Sequence, residues 1–124
     1  MQRLVIKSWL LLFYFDCVLR LFDFKRLHRV VREQNVRLSA QPDDTCDRVC
    51  HAVDLACVFY FKRVLCLQRS AVTTVLLRRH GWKAEMVLGA QLLPFLSHAW
   101  VEVDGRIVND KPYISELFRV LERC

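Results

Sequence analysis

The apolar pattern of this chain changes character at Gly81, and that change limits the folds open to it. Before Gly81, apolar residues recur every three or four positions, as in helices that bury one face. After Gly81, short apolar segments alternate with polar residues. Asp104-Gly105 stands between two of these segments and is a strong two-residue hairpin signal. Helices followed by a small antiparallel sheet predict an α+β domain.

Two helices are predicted at the beginning of the chain. Residues 3–22 predict a very apolar helix with Asp16 and Arg20 on its polar side, and residues 24–33 continue as a basic amphipathic helix. Because the first segment is rich in β-branched and aromatic residues, a strand is an open alternative there.

Two further helices follow a polar connection at residues 34–44. Asp43, Asp44 or Thr45 can cap the first of them, since acidic and hydroxyl side chains suit the positive end of a helix. The second is predicted to start near Cys66 and to end before the glycine at which the pattern changes.

Three strands and a last helix are predicted in the remaining third of the chain. An apolar loop at residues 92–95 separates the first two strands, and the hairpin signal separates the second from the third. Ser115 can cap a final helix that runs through Leu121. The three strands are expected at residues 82–90, 98–103 and 106–108.

The length and charge of the chain indicate one compact domain with a basic N-terminal part. We divide it into a helical extension and linker at residues 1–44 and a core at residues 45–124. Residues 1–40 hold eight Lys or Arg against three Asp or Glu. This imbalance fits an acidic partner or peripheral association with an anionic membrane, and a solvated helix face explains it equally well. No motif that reads nucleic acid accompanies the charge, so no nucleic-acid partner is expected.

The six cysteines do not predict a disulfide framework. Cys46, Cys50 and Cys57 follow a helical spacing, and no secretory signal is convincing, so a reducing cytoplasm is expected. The apolar run at residues 9–15 is too short to span a membrane. Cys46, Cys50 and His51 do not have the spacing of a metal or haem site, so neither a metal nor a cofactor is predicted.

Cys66, His98 and Asp110 form the strongest candidate for a catalytic site. At a helix start, free backbone amides and the helix dipole favour a thiolate nucleophile over a thiol. Pairing around the hairpin turn places Val103 beside Arg106. It therefore brings His98 close to the residues around Asp110, where a carboxylate can orient the imidazole. Each residue alone has a plainer explanation, as a core thiol, a structural histidine or a turn cap.

The remaining site predictions concern substrate contacts. The backbone amide of Cys66 is a candidate oxyanion donor, and Gln68 is a weaker candidate for a second one. The apolar loop between the first two strands is a candidate pocket wall, with Leu93, Phe95 and Trp100 as the side chains that would form it. These apolar residues could equally belong to the core.

The local motifs resemble a known family of leader peptidases. The strings Cys66-Leu67-Gln68-Arg69-Ser70, residues 76–81, His98-Ala99-Trp100-Val101-Glu102 and Val108-Asn109-Asp110 resemble the leader-peptidase B proteins of lasso-peptide biosynthesis. That family belongs to the transglutaminase-like cysteine protease superfamily. The resemblance covers residues 46–110 and implies a transglutaminase- or papain-like core. It assigns Cys66 as nucleophile, His98 as base and then acid, and Asp110 as the orienting group.

The resemblance also implies a pathway role and partners. Such proteins remove the leader from a ribosomally made precursor before an asparagine-synthetase-like cyclase forms the macrolactam. Because no recognition domain is apparent before residue 46, we expect a separate winged-helix-like protein to bind the leader peptide. Two alternatives stay open: a non-catalytic module that docks on a partner or membrane, and another Cys-His-Asp acyltransferase such as a transglutaminase or an arylamine acetyltransferase.

Overall fold

The computed structural model describes residues 2–36, 45–92 and 95–124, which form five helices and four strands. Helices occupy the N-terminal two thirds and an antiparallel sheet most of the remainder, so the predicted α+β class is confirmed. The elements are α1 (Gln2–Leu21), α2 (Phe24–Glu33), α3 (Cys46–Val58), α4 (Cys66–Arg79), β1 (Ala84–Leu92), β2 (Phe95–Val103), β3 (Arg106–Ile107), α5 (Ile114–Leu117) and β4 (Arg119–Arg123).

The helix boundaries follow local capping chemistry. Asp23 caps α2 by accepting from the Arg26 amide at 3.1 Å. Thr45 caps α3 through its hydroxyl; the other two candidate caps lie outside the described residues. Gly81 follows the end of α4 with φ of 92°, the left-handed conformation that glycine adopts without strain. The alternative of a strand at residues 3–22 is wrong, because that segment is α1.

Asp16 and Arg20 lie on one side of α1, as predicted, with Nε of Arg20 3.7 Å from the Asp16 carboxylate. Asp16 is nevertheless buried, and its carboxylate accepts a hydrogen bond from the Tyr60 hydroxyl at 3.0 Å. Lys62 lies 2.7 Å from the same carboxylate. Burial by itself raises the pKa of Asp16, but the hydrogen bonds and positive charge of its partners outweigh that effect and lower the pKa below its ordinary value. This cluster fastens α1 to the segment after α3.

The sheet has the order β3-β2-β1-β4, and all pairs are antiparallel. Asp104 and Gly105 have φ of 53° and 77°, so the predicted hairpin turn between β2 and β3 is confirmed. The expected pairing of Val103 with Arg106 is also present. The strand predicted from residue 98 begins earlier, at Phe95, which pairs with the last residue of β1. The tip of that hairpin lies outside the described residues.

The predicted last helix is wrong. Residues 114–117 form a single helical turn, and residues 119–123 form β4 along the outer edge of β1. Cys124 extends this pairing through two backbone hydrogen bonds with Met86, at 2.8 and 2.9 Å. The free N–H and C=O groups of β1 need partners, and satisfying them outweighs the weak helical spacing of this segment.

A single main core joins the N-terminal helices to the rest. Leu12 and Phe15 of α1 and Leu27 of α2 lie in the same buried cluster as residues of α3, α4 and the sheet. Arg78 reinforces this contact from α4, donating to the carbonyls of Val31 at 2.6 Å and of Ala84 at 2.9 Å. Residues 2–36 are therefore packed as an integral layer. In the described ranges, no helix combines the length and apolar character needed to cross a membrane.

Candidate active site

Cys66 is the first residue of α4, and its side chain is exposed. The preceding Leu65 has an extended backbone and provides no side-chain cap, so the N-cap side chain does not occupy the first amides of the helix. Cys66 and His98 line the same cavity of about 240 Å³. The predicted helix start is confirmed, and the structure brings the thiol and the imidazole to one cavity.

His98 and Asp110 are joined directly. Nε2 of His98 donates to Oδ2 of Asp110 at 2.6 Å, and Oδ1 of Asp110 accepts from the backbone amide of Lys111 at 2.8 Å. Both side chains are about three-quarters buried, with 24% and 21% of their surface exposed. Because Asp110 engages Nε2, Nδ1 is the ring nitrogen left to exchange a proton with a thiol or a substrate.

The ring of His98 is also held by aromatic packing. It stacks on Phe118 with centroids 5.3 Å apart and on Trp100 at 6.1 Å. Gly89 lies opposite His98 across the strand pair, and a Cβ there would be 2.7 Å from the Trp100 ring and 2.9 Å from Phe118. Glycine at this position therefore leaves room for the rings of Trp100 and Phe118 to pack against His98. Sequence reasoning missed Phe118, because that residue had been placed in the final helix.

A polar network behind the site connects the three elements that carry its residues. Asn109 accepts from the Val101 amide at 2.8 Å and donates to the Ser70 hydroxyl at 3.2 Å, while Ser70 donates to the Ala99 carbonyl at 3.1 Å. Arg69 donates to the Asn109 carbonyl and lies 3.1 Å from an Asp54 carboxylate oxygen. The network ties α4 to β2 and to the loop that carries Asp110. Ser70 and Asn109 stand in the motifs noted above, but their spacing alone gave no sign of this contact.

The cavity is mostly apolar: among the described residues that line it, Cys66, Ser97 and His98 are the ones with polar or ionisable side chains. Its walls come from α2, α4, β1, β2 and the segment of β4. Besides Cys66 and His98, the lining residues are Phe24, Leu67, Leu88, Gly89, Ser97, Ala99 and Leu121.

Two predicted substrate contacts are placed elsewhere. Gln68 is buried, and its amide nitrogen donates to the Leu12 carbonyl at 2.7 Å, so packing against α1 takes this side chain away from Cys66. Trp100 is fully buried and donates from Nε1 to Glu102 at 2.9 Å, so it supports His98 from behind instead of forming the wall. Leu93 and the side chain of Phe95 lie outside what the structure describes.

Four other cysteines are at least partly buried. Burial raises the pKa of Cys46, Cys57 and Cys124, and raises that of Cys50 to about 12, so these thiols stay protonated at neutral pH. Across residues 2–36, 45–92 and 95–124, no three His, Cys, Asp or Glu side chains are grouped so as to hold a metal ion.

The sequence profile of the Transglutaminase-like superfamily matches residues 9–123, which is nearly the whole chain. The chain belongs to the transglutaminase-like superfamily. Its matched segment includes α1 from residue 9 onward and all of α2, as well as the helix and sheet that carry Cys66, His98 and Asp110. This superfamily member has its cysteine at a helix start and its histidine on the neighbouring strand, with the histidine paired to a carboxylate.

A curated relative is the "Microcin J25-processing protein McjB" of Escherichia coli. It is 36% identical over 56 residues, which are 45% of this chain and 27% of the relative. The chain thus matches little more than a quarter of that protein's length. No solved structure matches the chain.

Proposed function

We propose that this superfamily member is a cysteine peptidase that removes the leader from a ribosomally made lasso-peptide precursor. The observation that carries the proposal is the cavity shared by Cys66 and His98, with His98 held by Asp110 at 2.6 Å. The motif resemblance to leader-peptidase B proteins and the match to a microcin-processing protein support peptide cleavage as the reaction.

In the first half-reaction, Cys66 transfers its proton to Nδ1 of His98, and its sulfur attacks the carbonyl carbon of the bond between leader and core. The negative charge on the carbonyl oxygen is stabilised by the free amide of Cys66 and by the dipole of α4. As the C–N bond breaks, His98 gives the proton to the leaving amine. The core peptide departs with a free N-terminus, and the leader is left as a thioester on Cys66.

In the second half-reaction, His98 removes a proton from water, and the resulting oxygen nucleophile attacks the thioester carbonyl. The C–S bond breaks, His98 returns its proton to the sulfur of Cys66, and the leader leaves as an acid that ionises to the carboxylate. Throughout both steps Asp110 holds the imidazole in one orientation and stabilises its protonated form. The apolar walls lower the local dielectric around the reacting groups, which strengthens these electrostatic contacts.

The partners in this scheme are part of the proposal. The chain would act with a separate leader-recognition protein and supply the freed core to an asparagine-synthetase-like lasso cyclase. The extension formed by α1 and α2 offers a basic and partly apolar surface for such contacts. A cytoplasmic setting, where these proteins and the precursor meet, completes the scheme.

The deciding experiment incubates the purified chain with a candidate precursor, with and without the recognition protein, and identifies the products by mass spectrometry. We expect a leader and a core whose masses sum to the precursor plus one water, and no cleavage by Cys66→Ala. If Cys66→Ala cleaves at the same rate as the unaltered chain, the proposed chemistry is wrong. If the leader appears joined to an added amine and never as a free acid, the protein is an acyltransferase.

A further inference from the structure

A second cavity adjoins the apolar one that contains Cys66. Phe24, the first residue of α2, lines both cavities. The two meet again at β4, where Leu121 faces the apolar cavity and the next residue, Glu122, faces the second one. The second cavity measures about 400 Å³. A peptide lying across Cys66 can therefore continue into it past Phe24.

The second cavity is strongly basic. Besides Phe24 it is lined by Lys25, His28, Arg29, Arg32 and Glu122. Its single carboxylate is already paired, because Glu122 accepts from Arg32 at 3.0 Å and lies 3.3 Å from Nε2 of His28.

Lys25 and Arg29 line this cavity without a carboxylate partner among the described residues. Both are exposed and stand one turn apart on the outer face of α2. Within the described part of the chain, no carboxylate forms an ion pair with either one. Their charge is therefore available to an anionic group that enters beside Phe24.

We propose that α2 selects the substrate peptide of the site described above. The apolar cavity takes an uncharged apolar side chain beside the bond that is cut, and Lys25 and Arg29 bind an acidic side chain further along the same peptide. The inference rests on the proposed function and adds a substrate class to it: peptides that carry an apolar residue and a carboxylate in register. A peptide fits better than an anionic membrane, since the basic residues line a recess continuous with the wall beside Cys66.

The test measures binding to the Cys66→Ala chain, so that no cleavage disturbs it. Two fluorescein-labelled peptides share the same apolar residues, and one carries Glu where the other carries Gln. We expect the Glu peptide to bind roughly tenfold more tightly, because two charge-assisted contacts to a carboxylate are lost with the amide. The double substitution Lys25→Gln/Arg29→Gln should make both peptides bind equally.

A matched control is available on α1. Arg3→Gln/Lys7→Gln removes the same charge from two exposed positions with the same one-turn spacing, and it should leave the preference for Glu unchanged. The inference is wrong if the Lys25/Arg29 variant keeps the tenfold preference. It is also wrong if that variant binds both peptides as before and loses only its binding to phosphatidylglycerol vesicles, since the recess would then bind a membrane surface.

The outcome of the peptide-binding test does not depend on whether the proposed peptidase activity is correct. If Cys66→Ala abolishes precursor cleavage but the Lys25/Arg29 variant still prefers Glu, only the selection by α2 fails. If Cys66→Ala cleaves normally while the preference disappears with Lys25 and Arg29, the recess binds an acidic peptide and the peptidase chemistry fails.

Discussion

Two helices of this protein begin with a cysteine, and the two helix starts differ in almost every other respect. Cys46 opens α3 and Cys66 opens α4, so both thiols lie at the positive end of a helix. Cys46 is only 4% exposed, and the hydroxyl of Thr45 caps its helix. Cys66 is exposed, and Leu65 leaves the first turn of its helix without a side-chain cap.

A position at the start of a helix does not by itself give a thiol an exposed surface or a basic partner. At Cys46 burial dominates and raises the pKa of the thiol despite the helix dipole. At Cys66 the thiol faces a cavity that it shares with His98, whose ring is fixed by Asp110. An imidazole, a carboxylate paired with it and an open cavity distinguish the site of Cys66 from that of Cys46.

The largest effect is expected when each of the two helix-start cysteines is replaced separately by serine. Cys66→Ser should lower kcat for precursor cleavage by at least about a thousandfold, because a hydroxyl is a much weaker nucleophile in a site built for a thiol. Cys46→Ser should retain activity and lose stability by about 1–3 kcal/mol, since it places a hydroxyl in an apolar core. Cleavage assays and urea unfolding check the two halves. Equal activity loss in both variants would contradict the distinction.

The next effect concerns the carboxylate that orients His98. Asp110→Asn should lower kcat on the order of 10²–10⁴-fold, because the imidazole loses its charge partner and its fixed tautomer. Asp104→Asn is the matched control: Asp104 lies in the hairpin turn, where its left-handed conformation suits asparagine. We expect that control to keep full activity in the same cleavage assay. A fully active Asp110→Asn would remove Asp110 from the mechanism.

A smaller effect is expected from the network that connects α4 to β2. Ser70→Ala breaks the hydrogen bonds to Ala99 and Asn109, so we expect a loss of about 2 kcal/mol in unfolding free energy and roughly tenfold in kcat. Thr74→Val serves as control on the same helix, because the buried Thr74 hydroxyl has no hydrogen-bond partner among the described residues. Urea unfolding and steady-state kinetics test this. Equal losses in both variants would mean that the network does not position the site.

The smallest effect is expected when a side chain that caps the helix is introduced at the start of α4, as Thr45 caps α3. Leu65→Asp should stabilise the protein by up to about 1 kcal/mol through the first-turn amides, and should lower kcat several-fold because its charge opposes the anion that forms at Cys66. Leu65→Asn caps without charge and should keep more of the activity. The pair is compared by thermal unfolding and by initial rates. A faster Leu65→Asp enzyme would contradict the role given to the helix start.

Much of the fold could be predicted from the sequence, because periodicity and local signals determine it. The boundaries of α2 and α4 follow from apolar spacing, a cap and a glycine, and the turn at Asp104 follows from its dipeptide. β4 could not be predicted. All five of its residues are exposed, so it has no alternation of buried and exposed positions, and the free edge of β1 decides its conformation.

Part of the candidate site could likewise be predicted from the sequence, and part of it could not. Cys66, His98 and Asp110 could be picked out because a helix start and a hairpin bring them together through local structure. Gln68 could not be placed, since the packing of α4 on α1 decides where its amide points. Phe118 and the contact between Ser70 and Asn109 depend on tertiary packing for the same reason. The catalytic roles themselves stay proposals that the substitutions above address.

The most direct measurement is the rate at which iodoacetamide labels each cysteine of the native protein at mildly acidic pH, mapped by peptide mass spectrometry. Cys66 should be labelled first, because it is exposed and shares a cavity with His98. Cys46 should stay unlabelled until the protein unfolds, because burial encloses this thiol and raises its pKa. His98→Ala should slow labelling of Cys66 at least about tenfold, because the thiol loses the base that takes its proton. Equal labelling of Cys46 and Cys66, or no change with His98→Ala, would contradict the account.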